Sequence, residues 1–336
     1  MSKKLYSTQK WKDYIRARQD AERRNAQRRR RGPRFTGTVA QKQEARIRRD
    51  YQTVEAPSVF SIVNNPDAAM QFFANLELYS RRYNINLDLQ KVETLTTDAI
   101  AALIATIRRM DINGRGNLPD NADAQRMLIE SGFFDYVSFT QQLPEVKRGS
   151  IQQQKSKLVE PVVAKNLVHF GTKSIWGTSQ KCTAAYSTLI ECMANTRNHA
   201  SGRNDDKKWH EKRKPPELWW ATVYADAGRK KICFTFVDTG VGIFRSVRIG
   251  VVRKIYDLFG GREDTDILRD MLLGKVPSST KLSFRGKGLP YMNRLAMEKR
   301  ISSLVIVAND VYANVSSETF EQLRIPFHGT LVYWEI

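Results

Sequence analysis

STLIECMANTRNHA at residues 187–200 and ICFTFVDTGVGIF at 232–244 are the two stretches that decide the fold. The first predicts a helix on which Glu191, Asn195 and His199 recur at intervals of four. Each such step turns the helix about 40° past a full circle and rises about 6 Å, so the three side chains form one polar stripe. The second predicts an apolar strand that ends in a carboxylate and a glycine-rich turn.

The polar stripe combines two groups that suit phosphate chemistry. The amide oxygen of Asn195 is a hard ligand for Mg²⁺. The nearby carboxylate of Glu191 can orient and deprotonate an attacking water. By itself, a stripe of this kind is more often an ordinary polar helix face, so its interpretation depends on the segments that accompany it.

Two glycine-containing segments follow the stripe along the chain. Asp238 ends the apolar strand, and the next residues include Gly240 and Gly242, which permit tight turns and the close approach of a ligand. RGKGLPYMNRL at 285–295 predicts a helix that starts within 286–289. Free backbone N–H groups and the helix dipole favour phosphate at such a start.

A terminal segment completes a set of four. In FHGTLVYWEI, Gly329 and Thr330 lead into a predicted last strand. In order and spacing, the set resembles the GHKL superfamily, which includes gyrase B, the cytosolic heat-shock chaperones, histidine kinases and mismatch-repair ATPases. The resemblance covers about 165–336 and its joint specificity is high. Glu191 and Asn195 match the N box of that family, 238–243 its first glycine box, Gly286, Lys287, Gly288 and Leu289 its second, and Gly329 with Thr330 its last.

The resemblance implies a Bergerat fold, an α/β sandwich with a mixed sheet under helices, which binds ATP and Mg²⁺. It implies that Asp238 bonds the adenine amino group, that Asn195 coordinates Mg²⁺, and that the 286–289 turn cradles the phosphates. Residues 244–285 would form a lid over the γ-phosphate. Glu191 stands where ATP-hydrolysing members keep their general base, which favours hydrolysis over binding alone.

The histidines carry less information. His199 occupies a position that varies in the family, where it would contact a phosphate or the adenine ribose, or serve as a structural histidine. The others are His169, His210 and His328. None lies in a helix pair resembling the phosphoacceptor bundle of sensor kinases, which argues against an ordinary histidine kinase.

A smaller α/β unit is predicted at 52–140. Its strands and helices alternate, with strands at 57–63 and 85–92 and helices at 65–83, at 96–110 and from a cap near Asp120 or Asn121. INLDLQKVETLTTDAIAAL and LIESGFFDYV make this unit resemble a STAS domain, the fold of anti-sigma-factor antagonists. The resemblance spans about 85 residues of short, largely hydrophobic motif.

STAS domains carry a phosphorylatable Ser in the loop after the central strand, and ETLTTD at 93–98 takes that place here. Thr96 and Thr97 bear hydroxyls, but the usual Asp-Ser-Ser of the family is missing. Capping the next helix is the more common role for such threonines. Because GHKL kinases of the anti-sigma type phosphorylate STAS domains, a protein Ser/Thr kinase is an alternative to an ATPase.

Positive charge is concentrated at the N-terminus. The 336-residue chain has 55 Lys and Arg against 35 Asp and Glu, a net charge of +20, and residues 1–50 hold 17 and 5 of them. AERRNAQRRRRGPRF at 21–35 cannot bury enough surface to order itself, so residues 1–51 are predicted to form a flexible arm. Such an arm attracts DNA or RNA by counterion release, and acidic proteins or anionic lipids are alternative targets.

The predicted fold class is α/β, with the arm at 1–51, the STAS-like domain at 52–140, a linker at 141–164 and the ATP-binding domain at 165–336. The three cysteines are scattered without metal-ligand or redox spacing. The start lacks the pattern of a signal peptide, and no run approaches the ~18 apolar residues of a membrane span. A cytoplasmic protein without a membrane span is expected.

The leading hypothesis is a Mg·ATP-dependent conformational switch with slow ATPase activity. Closure of the lid would alter a surface or promote a homodimer, and a protein partner of unidentified nature is expected. The kinase described above is the second hypothesis. The third is a non-catalytic nucleic-acid-binding subunit of a larger assembly, such as a stress or antiviral defence complex.

Overall fold

The computed structural model describes residues 51–112, 114–135, 151–156, 158–199, 219–244, 263–275 and 288–336. Within these ranges, the side chains at 151–154, 198 and 199 are not described. All of the predicted basic arm except Tyr51 lies outside the described residues, as do most of the predicted lid and residues 200–218.

The N-terminal part of the described chain is a small α/β unit. Three parallel strands pair in the order β1-β3-β5, and β2 forms a separate parallel pair with β4. The elements are β1 Tyr51–Glu55, β2 Val59–Phe60, α1 Pro66–Ser80, β3 Asn84–Asp88, β4 Thr94–Leu95, α2 Thr97–Met110, β5 Gly114–Gly116 and α3 Ala122–Glu130.

The helices of this unit begin and end where local chemistry requires it. The side chain of Asn121 accepts hydrogen bonds from the backbone N–H groups of Asp123 and Ala124, which confirms the predicted cap of α3. Helix α2 ends at Asp111, whose positive φ of 53° is the left-handed stop typical of a C-terminus. The first eleven residues of α2 are all buried.

The C-terminal part is built on one five-stranded sheet. Its strand order is β6-β7-β8-β10-β9, and every described pairing is antiparallel. The elements are β6 Ile151–Ser156, α4 Pro161–Trp176, α5 Thr183–His199, β7 Trp219–Asp226, β8 Lys231–Asp238, α6 Asp264–Leu272, α7 Gly288–Met297, β9 Ser302–Asn314 and β10 Thr319–Glu335.

Both faces of this sheet are buried, so alternate residues of each strand enter different cores. Phe234 and Phe236 pack with helices α4 to α7 on the face that we call the site face. Cys233 and Val237 pack with α1 and α2 on the opposite face, the docking face. Burial on both sides explains why most of β8 and the stretch Leu331–Trp334 of β10 are apolar.

Three expectations about organisation need correction. Residues 151–156 lie in the predicted linker, but they form the edge strand β6 of the large sheet, and α4 begins at Pro161. The sheet is antiparallel where the resemblance implies a mixed sheet. Finally, Tyr51–Ile336 forms one compact unit, because the predicted STAS-like domain shares its core with the sheet of the predicted ATP-binding domain.

Candidate functional site

Helix α5 positions the two central residues of the polar stripe. Leu189 and Met193 on its inner side are fully buried in the site-face core, while Glu191 and Asn195 are only half-buried. Among the described residues, neither the Glu191 side chain nor the Asn195 side chain has a hydrogen-bond partner. Half-buried polar groups without a protein partner are available to water or a ligand.

The start of α7 lies directly against this pair. A Cβ added to Gly288 would approach Glu191 Oε2 to 2.8 Å and Asn195 Nδ2 to 3.3 Å, so only glycine fits without a shift of these side chains. The structure therefore brings Gly288 of the second glycine segment next to Glu191 and Asn195. The first backbone N–H groups of α7 have no acceptor within the helix, and they favour an anion in this place.

Asp238 lies at the end of β8, in the middle of the sheet. It pairs with Thr330 of β10 on one side and with Trp219 of β7 on the other. The residue is buried, and its carboxylate accepts a hydrogen bond of 2.8 Å from the backbone N–H of Gly240. That bond turns the chain sharply away from the strand.

Gly329 permits this turn. A Cβ at position 329 would overlap the carbonyl oxygen of Asp238, and its φ of +110° is one that side-chain-bearing residues rarely adopt. The chain after Asp238 thus passes over β10 where β10 has no side chain. Gly329 and Thr330 of the last predicted segment thus lie against Asp238, where the first glycine segment begins.

Sequence reasoning missed Asn309, which lies in β9. Its carboxamide donates to the carbonyl of Val241 at 3.0 Å and accepts from the backbone N–H of Phe244 at 3.2 Å. The available signal was an asparagine inside a strand, because asparagine is depleted there. The motif search along Asp238, Gly240 and Gly242 did not extend to a strand 65 residues further on.

Helix α5 lies close enough to the end of β8 for a buried side chain of α5 to feel the charge of Asp238. Burial raises the pKa of the Cys192 thiol well above its usual value, and the charges of Asp238 and Glu191 raise that pKa further. One buried residue of α5 is therefore influenced by both carboxylates. Burial also raises the pKa of the Glu191 carboxyl from its usual value.

The remaining predicted residues divide into described and undescribed ones. Gly288 and Leu289 open α7, and Thr330 lies almost buried within β10. Gly286 and Lys287 lie outside the described residues. The backbone of His199 belongs to α5, but its side chain is not described, so neither of its two predicted roles is tested.

Thr96 and Thr97 lie on the other side of the molecule. Thr97 is buried on the docking face, where its hydroxyl lies 3.3 Å from that of Thr235 in β8. Thr96 precedes α2, yet its hydroxyl donates to the carbonyl of Phe60 and makes no capping bond. The predicted capping position of Thr96 is confirmed, but the predicted capping hydrogen bond is absent.

The donor set suits a magnesium ion held mainly by phosphate. Among the described residues there is no group of three or more His, Cys, Asp and Glu side chains that could hold a metal. Mg²⁺ in nucleotide sites needs few protein ligands, because phosphates and water complete its shell. The half-buried Asn195, without a hydrogen-bond partner among the described residues and beside the start of α7, fits that requirement.

The comparisons with known proteins give no family. No protein-family model matches this chain, and no curated protein matches it either. Within the part of the chain that the structure describes, no helix is long and apolar enough to cross a membrane.

Proposed function

We propose that this chain binds Mg·ATP between α5, the start of α7 and the end of β8, and hydrolyses it slowly as a conformational switch. The observation that carries the proposal is the packing of Gly288 against Glu191 and Asn195. This packing supports a site that combines a candidate base, a candidate metal ligand and a helix N-terminus.

Each residue has a role that follows from its chemistry. The backbone N–H groups that open α7 bind phosphate oxygens. Glu191 orients the attacking water and accepts its proton, and the raised pKa of its carboxyl makes it a better proton acceptor once ionised. Asp238, held at the strand end, accepts a hydrogen bond from the amino group of the base.

Asn195 supplies an oxygen ligand for the magnesium ion. When bound, Mg²⁺ neutralises charge on the phosphates during transfer. The protein otherwise contributes positioning and electrostatic stabilisation. Helix α6, Asp264–Leu272, lies inside the predicted lid 244–285 but packs in the site-face core, so the proposed lid does not include it. Lid closure, a homodimer and a nucleic-acid partner of the basic arm are parts of the proposal that rest on sequence alone.

The test is ATP turnover by the full chain, with and without Mg²⁺ and with and without nucleic acid. Glu191→Gln should lower turnover by about 10²- to 10⁴-fold and keep ATP binding, since it removes a proton acceptor without changing shape. Asn195→Ala should remove the increase in ATP turnover that Mg²⁺ causes in the wild type. Glu93→Gln is the matched control, because Glu93 is exposed and lies in the N-terminal α/β unit; this variant should leave ATP turnover unchanged.

The pH profile gives a second check on the same assay. Glu191 must be ionised to accept a proton, so wild-type turnover should rise with pH through a pKa above the usual glutamate value. Glu191→Gln should lose this limb of the profile. Equal turnover in wild type and Glu191→Gln would contradict the role of Glu191, and absence of ATP binding by the wild type would contradict the proposed function.

A further inference from the structure

Asn309 stands where three strands line up beside the candidate site. Ala308 of β9 pairs with Thr330 of β10, which in turn pairs with Asp238 of β8. Asn309 follows Ala308 directly, at a position where the register between β9 and β10 shifts. Its φ of 51° is left-handed, a conformation that asparagine tolerates better than most residues.

The segment 238–244 links the two outer strands of this row. It leaves β8 at Asp238, passes over β10 at Gly329, and reaches the carboxamide of Asn309 on β9. There it is held at two points, the carbonyl of Val241 and the N–H of Phe244. One side chain thus satisfies a donor and an acceptor of the same turn.

The turn is also shaped to fit this side chain. A Cβ at Gly242 would lie 2.5 Å from Asn309 Oδ1 and 2.6 Å from its Nδ2. The φ of Gly242, +81°, is again one that favours glycine. The second glycine of the first glycine segment is therefore required by contact with Asn309, independently of any ligand.

We propose that Asn309 is a positioning residue that fixes the turn after Asp238 and thereby sets selectivity for a 6-aminopurine nucleotide. The inference rests on the proposed function, because it assumes that Asp238 reads the base. Asn309 acts through the backbone at 241–244 and does not touch the nucleotide. Without its two hydrogen bonds, the turn samples other positions and Asp238 loses its fixed direction.

The experiment compares two affinities of the full chain, for ATP and for purine riboside triphosphate, which lacks the 6-amino group. Asn309→Gly keeps the left-handed backbone at low cost and removes both hydrogen bonds. It should reduce the ratio of the two affinities by about tenfold, the size expected when hydrogen bonds of ordinary strength are lost. Asn309→Asp retains the acceptor for the Phe244 N–H and should restore part of the ratio.

Asn314→Gly is the control, because Asn314 lies in the same strand and its side chain also accepts from a backbone N–H, that of Ser317. It should leave the affinity ratio unchanged. A second readout needs no nucleotide: amide hydrogen exchange at 240–244 should be faster in Asn309→Gly and unchanged in Asn314→Gly.

The outcomes separate the two ideas. If the wild type discriminates between the nucleotides and Asn309→Gly does so equally well, the inference about Asn309 is overturned while the proposed function stands. Unchanged hydrogen exchange in Asn309→Gly would likewise overturn it. If the wild type binds ATP without discrimination, Asp238 does not read the base and the inference fails. If the wild type does not bind ATP at all, both proposals fail.

Discussion

The docking face and the site face of the five-stranded sheet are both buried, yet they treat polar groups differently. On the docking face, two polar contacts join the sheet to the N-terminal unit: Tyr312 donates to the carbonyl of Val63 at 2.8 Å, and the hydroxyls of Thr97 and Thr235 lie 3.3 Å apart. The buried indole N–H of Trp220 on this face has no partner among the described residues. On the site face, Glu191 and Asn195 have no hydrogen-bond partner among the described residues. The difference is that polar contacts on the docking face join the sheet to the N-terminal unit, whereas the site face carries two neighbouring half-buried polar side chains of α5.

Charged side chains at the docking face also compensate one another. Glu77 of α1 forms an ion pair with Arg109 of α2, and it accepts a hydrogen bond from His328 Nε2 of β10 at 3.1 Å. Burial alone would raise the pKa of Glu77, but the hydrogen bond from His328 and the charge of Arg109 outweigh it and hold the pKa below its usual value. A carboxylate compensated in this way holds α1 against β10 and is not poised for chemistry.

The largest effect in the comparison of the two faces is expected at Gly329, where the chain after Asp238 passes over β10. Gly329→Ala should destabilise the fold by about 4 kcal/mol, because the new Cβ overlaps the backbone of Asp238 and φ is strained. Thermal or denaturant unfolding of the full chain measures the loss. ATP binding should fall with it, since the turn after Asp238 must move.

Gly177→Ala is the matched control for Gly329→Ala. Gly177 also has a positive φ, of +73°, but nothing lies within 4 Å of an added Cβ. Its cost should be about 1 kcal/mol, from backbone strain alone, and ATP binding should be unchanged. Equal losses in the two variants would show that close approach at Gly329 is unimportant.

A second test concerns the docking face. The carboxylate of Asp98 is buried, and it accepts from the backbone N–H groups of Ile62 and Val63 and from the hydroxyl of Ser61. Asp98→Ala should cost about 3 kcal/mol, because two buried N–H groups lose their acceptor. Denaturant unfolding measures the change.

Asp98→Asn keeps one acceptor oxygen of the same shape and should cost less than Asp98→Ala. Neither variant should alter ATP turnover per folded molecule, since Asp98 lies in the unit that covers the docking face. A specific loss of turnover in Asp98→Asn, with stability near that of the wild type, would break the distinction between the two faces.

Periodic elements of the fold were predictable from the sequence. The spacing of apolar residues in α2, the alternation of Ile85 and Leu87 in β3, and the apolar run of β8 are all local patterns. The candidate site was predictable to the same degree: Glu191 and Asn195 share a helix, and the start of α7 follows from its glycines.

Three features were not predictable, for physical reasons. Strand β6 has the polar sequence IQQQKS, because an edge strand pairs on one side only and needs no apolar run. A strand buried on both faces does not reveal which helices cover each face, so the shared core was missed. Asn309 depends on a contact between β9 and a distant turn, and a single sequence has no pattern for such a contact.

The smallest expected effect is at the threonine pair of the docking face, and it also tests the kinase hypothesis. Thr97→Val should cost about 1 kcal/mol, since it leaves the buried hydroxyl of Thr235 without its partner, whereas the double variant with Thr235→Val should be nearly neutral. ATP turnover should not change in either variant.

Thr97 is buried on the docking face, while Glu191 and Asn195 lie on the site face, so phosphoryl transfer from the site to Thr97 within one chain would have to cross the sheet. Radiolabel from the γ-phosphate of ATP that is retained on the wild type and lost in Thr97→Val would show that the docking face opens and takes part in chemistry.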